Sequence, residues 1–228
     1  AREFIERMQG VNDWIDSWIN DTVNEDENKK TFMTTSCCAG YLQLVKKHLP
    51  EIKPYVSDTH TPLYYTAEYV KQIIPDSVTV FIGPCVAKRA EGDENPNIDY
   101  VMSFEELGAL FMAKKIEVSE CKETQFNKES SKQAREFGIT GGGTEAVKKA
   151  LPNENLIKPH IISGLNKDSI KKLKEYAKYN SCENGCNLIE VMCCAGGCIA
   201  GNATINNIKN AQKQIKEITT ESKEIEKI

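Results

Sequence analysis

Two pairs of adjacent cysteines stand out among the nine in this chain: Cys37 and Cys38 in "TTSCCAG", and Cys193 and Cys194 in "EVMCCAGGCIAG". Neighbouring cysteines rarely bond to each other, because the ring that results is strained. Cys194 and Cys198 are four apart, with Gly196 and Gly197 between them, and Cys85 follows Pro84 in "FIGPCVAK". Glycine permits tight turns and lets backbone approach a bulky inorganic core that a side chain would strike. Thiolates ligate iron and zinc, and four of them complete a tetrahedral zinc site or a [4Fe–4S] cluster. Cys38, Cys85, Cys194 and Cys198 would supply four such donors. Structural zinc usually draws its ligands from compact, closely spaced knuckles, which this dispersal does not resemble. Buried apolar packing would account for one or two such cysteines, but poorly for four beside glycine or proline.

Something must carry these residues to one place. "TFMTTS" reads as a strand running into Cys37, and "YLQLVKKHL" as a helix stopped by Pro50. "PLYYTAEYVKQII" is a helix leading to the strand "SVTVFIG", which ends at Pro84 and Cys85. "DYVM" is a short strand, and Ser103 with Glu106 forms a capping box for the helix "FEELGALFMAKK". The glycine-rich turn of "ITGGGTEAVKKAL" opens another helix, followed by the strand "KPHIISGL" and the helix "SIKKLKEYAKY". The strand "NLIEVM" runs straight into the last cysteine motif, and Ile205, Ile208, Ala211, Ile215 and Ile218 mark a final amphipathic helix. Strands alternating with helices predict an α/β fold with largely parallel sheets flanked by helices. Ligands in such folds collect at the carboxyl ends of strands. All three cysteine motifs sit at such ends, so the expected arrangement is two-lobed, with the site between the lobes.

The chain has 228 residues, 40% of them hydrophobic and 27% charged, which suits one large domain or two small lobes. Net charge is −4 with lysines dispersed among glutamates, so no basic stripe argues for nucleic acid. No apolar run approaches the roughly 18 residues of a membrane span, and no signal peptide is visible. Nine cysteines without a secretion signal read as metal or redox chemistry in the cytoplasm, not as a disulfide framework. Residues 1–30 read as a helical lead-in, with Phe4, Met8, Val11, Ile15 and Trp18 on one face, ending in the polar linker "VNEDENKK".

Taken together and in order, "TSCCAG", "GPCVAKRAE" and "EVMCCAGGCIAG" resemble the three signature motifs of the [FeFe] hydrogenase catalytic domain. The resemblance runs from about Phe32 to Ile205 and favours the shorter, sensory subgroups, because Gly83 stands where the best-known enzymes have methionine. It implies an H-cluster: a [4Fe–4S] cubane joined through one cysteine sulfur to a diiron unit carrying CO, cyanide and a bridging dithiolate amine. Cys38, Cys85, Cys194 and Cys198 match the cubane ligands, with Cys198 the bridge to the diiron unit, and Cys37 matches the proton-delivering thiol. Lys88 matches the lysine that hydrogen-bonds a cyanide, Met192 the methionine packed near the diiron unit, and Pro84 the proline before the second-motif cysteine. Ser57 lies where the family has a proton-path serine, Thr61 replaces a serine that touches the dithiolate, and Glu91 reads as structural.

The resemblance further implies reversible interconversion of H₂ with protons and electrons, or an H₂-sensing role. Its partners would be ferredoxin or an accessory iron–sulfur domain, together with maturation proteins, and neither nucleic acid nor membrane. The alternative is a non-catalytic hydrogenase-like iron–sulfur protein of cluster assembly or regulation; Cys37, Lys88 and Met192 favour the enzyme. Residues 31–228 would then be a partial catalytic domain, because the family's domain begins upstream of Ala1. Ala39 stands where the family has proline, and Cys193 where it usually has alanine. Asp13, Asp16 and Asp21 are candidates for the proton-path carboxylates. Cys182 and Cys186 could join Cys121 or Cys193 in a second metal site or form a labile disulfide, but the expectation is free surface thiols. The "GGG" turn could cradle phosphate, although packing is the simpler reading, and His48 and His160 are expected on the surface.

Overall fold

The computed structural model describes residues 30–122 and 130–225. The helical face of residues 1–19 and its aspartates Asp13 and Asp16, with Asp21 in the segment that follows, lie outside that range. Among the described residues, five strands alternate with eight α-helices, and every strand pairing within the sheets is parallel.

The first sheet has the order β1 (Met33–Thr34), β5 (Leu188–Met192), β4 (Pro159–Ser163). A middle parallel strand is covered on both faces and so reads as nearly continuous apolar sequence. "LIEVM" is such a run, and all five of its residues are buried. β1 is shorter than the expected "TFMTTS". Past Thr34 the Thr35 hydroxyl, not a backbone carbonyl, accepts the Val191 N–H at 3.2 Å, and the chain is free to leave the sheet. The second sheet pairs β2 (Val80–Gly83) with β3 (Tyr100–Ser103), in register from Val80 opposite Tyr100. Its connection carries the short helix α3 (Lys88–Asp93).

Helix α1 (Ala39–His48) packs Ala39, Tyr41 and Val45 inward and keeps Lys46, Lys47 and His48 in its last turn, where positive charge suits the dipole. The main core gathers Phe32, Tyr41, Leu49, Ile52, Leu173, Ile189 and Val191. Burial of each large apolar side chain stabilises by about 1.5–3 kcal/mol. Tyr41 brings a hydroxyl into that core and shares a 2.9 Å hydrogen bond with Thr34 Oγ1. α2 (Pro62–Ile73) starts with proline at its first position and Thr61 as its cap. The expected capping box is formed at α4 (Phe104–Lys114): Glu106 N–H donates to Ser103 Oγ at 3.1 Å, and Ser103 N–H to Glu106 Oε2 at 2.8 Å. The remaining helices are α5 (Lys132–Glu136), α6 (Gly142–Ala150), α7 (Lys167–Tyr179) and α8 (Ile208–Thr219). Among the described residues, no helix is long and apolar enough to cross a membrane.

Glu190 is a charge in the middle of this core, with none of its surface exposed. Such a group needs full hydrogen bonding. Its two carboxylate oxygens accept the Gly141 and Thr144 N–H groups, both at 2.7 Å, at the amino end of α6. The glycine turn therefore holds an internal anion, which agrees with packing and leaves those two donors unavailable to a phosphate. Glu190→Ala should leave two buried donors unpaired and lower stability by about 2–4 kcal/mol in a denaturant titration.

Candidate metal centre

Each thiol motif leaves the sheet where its strand ends. β1 ends at Thr34, and after three residues the chain reaches Cys38, the N-cap of α1. Ala39 opens the helix, a position that would also accept proline. Ser36 Oγ ties this loop to the Thr59 carbonyl at 2.5 Å, and Ser57 N–H donates to the Thr34 carbonyl at 2.9 Å. β2 ends at Gly83, directly before Pro84 and Cys85. β5 ends at Met192, buried, directly before Cys193 and Cys194.

The second sheet meets the first through backbone. Ala203 N–H donates to the Pro84 carbonyl at 3.0 Å, and Val86 N–H reaches Asn202 Oδ1 at 3.4 Å. A Cβ on Gly201 would fall 2.3 Å from the Pro84 carbonyl oxygen, so only glycine permits this approach. Cys85 is thereby brought to the thiols of the last motif. Burial first, then Cys85 and Cys38, raise the Cys194 thiol, while the Asn202 backbone N–H pulls it down. Burial and then Cys38 push Cys198 up to about 11, against the opposing pull of the Lys88 ammonium. The Cys193 N–H donates to Cys38 Sγ at 3.3 Å. The structure thus gathers Cys38, Cys85, Cys194 and Cys198 from three strand ends.

Among the described residues, no group of three or more His, Cys, Asp or Glu side chains is close enough to hold a single metal ion. Ligands of a cluster attach to separate irons, so wider spacing suits a cubane better than one tetrahedral ion. The donor set fits that group: four thiols, backbone N–H groups aimed at Cys38 and Cys194, and a glycine-built loop between Cys194 and Cys198.

Cys37 has different surroundings from Cys38. Its thiol is pushed up to about 12, first by burial and then by Glu190, with Cys38 adding to the effect and a Thr35 hydrogen bond opposing it. It lines a mainly apolar cavity of about 60 Å³ with Ser36, Ser57, Thr59 and His60. Lys88 and Glu91 form a largely buried ion pair, Nζ to Oε2 2.5 Å, and the Thr61 hydroxyl donates to the other Glu91 oxygen. Glu91 is structural in that sense: it fixes Lys88 and joins α3 to the start of α2.

Two expectations are corrected here. Cys182 and Cys186 are buried, at 7% and 5% exposure, and bonded to each other; residues around them, including Tyr176 and Leu173, enclose them in the core. Neither is a surface thiol, and neither joins Cys121, which is exposed, or Cys193. His160 is half-buried, with Nε2 3.9 Å from Glu183, whereas His48 is exposed as expected.

A sequence model of the "Iron only hydrogenase large subunit, C-terminal domain" matches residues 1–202. The chain belongs to that family. Among curated relatives, it is 27% identical to iron hydrogenase 1 of Clostridium pasteurianum, over 86% of this chain and 42% of that protein. It is 26% identical to NADP-reducing hydrogenase subunit HndD of Solidesulfovibrio fructosivorans, over 77% of this chain and 37% of that one. The chain therefore spans less than half the length of these two relatives. The iron-only hydrogenase fold also recurs in solved structures. A single-residue variant of [FeFe]-hydrogenase HydA1 from Chlamydomonas reinhardtii superposes with a TM-score of 0.64 at 19% identity, over 86% of this chain and 68% of that one. A HydA(deltaEFG) structure described for stepwise H-cluster assembly gives 0.62 at 19% identity, over 80% and 65%. The mixed α/β architecture with parallel sheets flanked by helices is that of the hydrogenase H-cluster domain.

Sequence reasoning passed over four residues near the site. Glu190 carried a signal, since a lone acid inside an apolar strand must find partners. Thr35 and Asn202, which hydrogen-bond around the cysteine loops, carried none. His60 was overlooked because its cavity exists only once the Ser57–Thr61 segment lies against Cys37.

Proposed function

We propose that this chain is the core of an [FeFe]-hydrogenase-type oxidoreductase site that interconverts H₂ with protons and electrons. The observation that carries the reading is the meeting of Cys38, Cys85, Cys194 and Cys198 from three separate strand ends, with Cys37 beside them but turned to its own cavity. In this reading Cys38, Cys85, Cys194 and Cys198 would hold the [4Fe–4S] part of an H-cluster, whose diiron unit would carry CO, cyanide and a dithiolate amine. When bound, that group supplies the open metal site for H₂ and the route for electrons. The protein's share is binding, charge and proton handling. Backbone N–H groups directed at the Cys38 and Cys194 sulfurs are of the kind that tune a cluster's potential. Met192 is a buried, polarisable side chain at the end of β5, directly before Cys193. Thr61 and Glu91 hold Lys88 in place as the local positive charge.

Cys37, whose thiol burial pushes up, is the proton donor and acceptor, and it borders a mainly apolar cavity with Ser36, Ser57, Thr59 and His60 in its lining. Ser57 and Thr59 offer hydroxyl or carbonyl groups along that cavity, and exposed His60 stands at its rim. Electrons would pass to ferredoxin or an accessory iron–sulfur domain, and dedicated maturation proteins would supply the diiron unit.

A non-catalytic iron–sulfur protein is the second reading. What favours it is the Lys88 ammonium, already committed to Glu91 at 2.5 Å. Anaerobically matured protein separates the two. Iron together with infrared bands of CO and cyanide supports the hydrogenase; iron and sulfide without those bands supports the second reading. Protein that takes up neither iron nor sulfide overturns both.

A further inference from the structure

We infer that Cys193 is a fifth thiolate donor to the same cluster site, able to take the corner that Cys194 holds. This rests on the cubane reading above. A cubane has four irons to take thiolates, and the structure places five thiols, Cys38, Cys85, Cys193, Cys194 and Cys198, at the strand ends around it.

The backbone fixes where Cys193 can reach. Leu165 N–H donates to the Cys193 carbonyl at 3.0 Å, and Gly164 N–H to the Met192 carbonyl at 2.9 Å, so residue 193 is still pinned to the end of β4. The chain then turns. Gly196 N–H donates to Ser163 Oγ at 3.0 Å, and Gly196 and Gly197 take φ of 97° and 90°. Within a strand, successive side chains point to opposite faces. Past the strand end that alternation is lost, so Cys193 and Cys194 are not held to opposite sides.

Gly40 shows how close Cys193 comes to a proposed ligand. A Cβ on Gly40 would lie 3.1 Å from Cys193 Sγ and 3.9 Å from Cys38 Sγ, so both sulfurs border the one small space that glycine leaves open. The Cys193 N–H on Cys38 Sγ, at 3.3 Å, holds that same ligand thiol against the Cys193 backbone. Core packing does not account for it, because Cys193 is exposed. A buried apolar cysteine would have no such neighbours and no such access.

The exchange is a ligand substitution without electron transfer. The iron–sulfur bond to Cys194 breaks, the bond to Cys193 forms, and the proton released by Cys193 goes to the freed Cys194 sulfur. Two adjacent donors make a corner that is kept when one thiol is oxidised or alkylated.

The test uses the full chain reconstituted anaerobically with ferrous iron and sulfide, reading iron and sulfide per chain and the electron paramagnetic resonance of the reduced protein. Cys194→Ala should keep roughly half or more of the wild-type iron with an altered resonance, while the Cys193→Ala/Cys194→Ala double variant should hold roughly tenfold less. Cys85→Ala, which has no adjacent substitute, should lose iron like the double variant. Cys121→Ala, at an exposed thiol hydrogen-bonded to the Glu117 carbonyl, should match wild type. Mass-spectrometric alkylation gives a second measure. Cys193 should be labelled in loaded wild type and protected in loaded Cys194→Ala. Iron loss in Cys194→Ala as deep as in the double variant, or Cys193 equally labelled in both loaded proteins, overturns the inference. Wild-type protein that takes up no iron and sulfide overturns the cubane reading itself.

Discussion

Cys37→Ala is expected to leave iron content and the CO and cyanide infrared bands close to wild type while lowering H₂ evolution by about 10²–10⁴-fold, the usual contribution of a general acid–base group. The neighbouring variant, Cys38→Ala, should instead lose iron, because a cluster corner loses its thiolate. The contrast follows from what each sulfur faces. Cys38 stands at the N-cap of α1, and its sulfur accepts the Cys193 N–H at 3.3 Å, beside the last cysteine motif. Cys37 is pushed up to about 12, first by burial and then by Glu190, and it borders a cavity of its own. A thiol so placed is a serviceable proton carrier, and Ser57, Thr59 and His60 line the same cavity. If Cys37 were only a packing residue, its removal would cost stability and almost no rate. Iron content and H₂ evolution measured on both variants decide the matter. Equal iron loss in the two would mean that the roles of the neighbouring cysteines are misassigned.

Much of this was legible in the chain, and the part that was not has a common physical cause. Local signals carried through. The Ser103–Glu106 box needs only residues three apart, and Pro50 and Pro62 mark helix boundaries by their own stereochemistry. The alternation of strands and helices gave parallel sheets, and hence thiols at carboxyl ends. Partnering across long separations was not legible. Nothing in "TFMTTS" says that Thr35 will substitute its hydroxyl for a main-chain acceptor of Val191, because that bond spans 156 residues. Nothing in "SCENGC" distinguishes surface thiols from core ones, because burial there depends on Phe32, Tyr176 and Leu173 arriving from elsewhere. The glycine turn was ambiguous for the same reason. An anion at a helix amino end was foreseeable, but that it comes from Glu190, some 46 to 49 residues away, was not.

Gly197→Ala should abolish cluster uptake and destabilise the fold by about 3 kcal/mol or more, the sum of backbone strain and overpacking. Gly197 has φ of 90°, a conformation that an L side chain rarely adopts. Its added Cβ would fall 2.5 Å from the Gly138 carbonyl oxygen and 2.6 Å from Thr140 N. These are main-chain atoms and cannot swing aside. They also belong to the contact that holds the Cys194–Cys198 loop: Ile199 N–H donates to the Gly138 carbonyl at 3.2 Å, and Thr140 N–H to the Gly196 carbonyl at 3.3 Å. Relief of the clash must therefore pull the ligand loop away from the turn that Glu190 anchors, and Cys198 moves with it. Gly108→Ala is the control. It lies within α4, where an added Cβ meets nothing within 4 Å, and alanine there should stabilise the helix by about 0.5–1 kcal/mol. Thermal melts and iron per chain on both variants test the argument. A Gly197→Ala protein that melts near wild type and takes up full iron would show that the loop does not depend on this backbone contact.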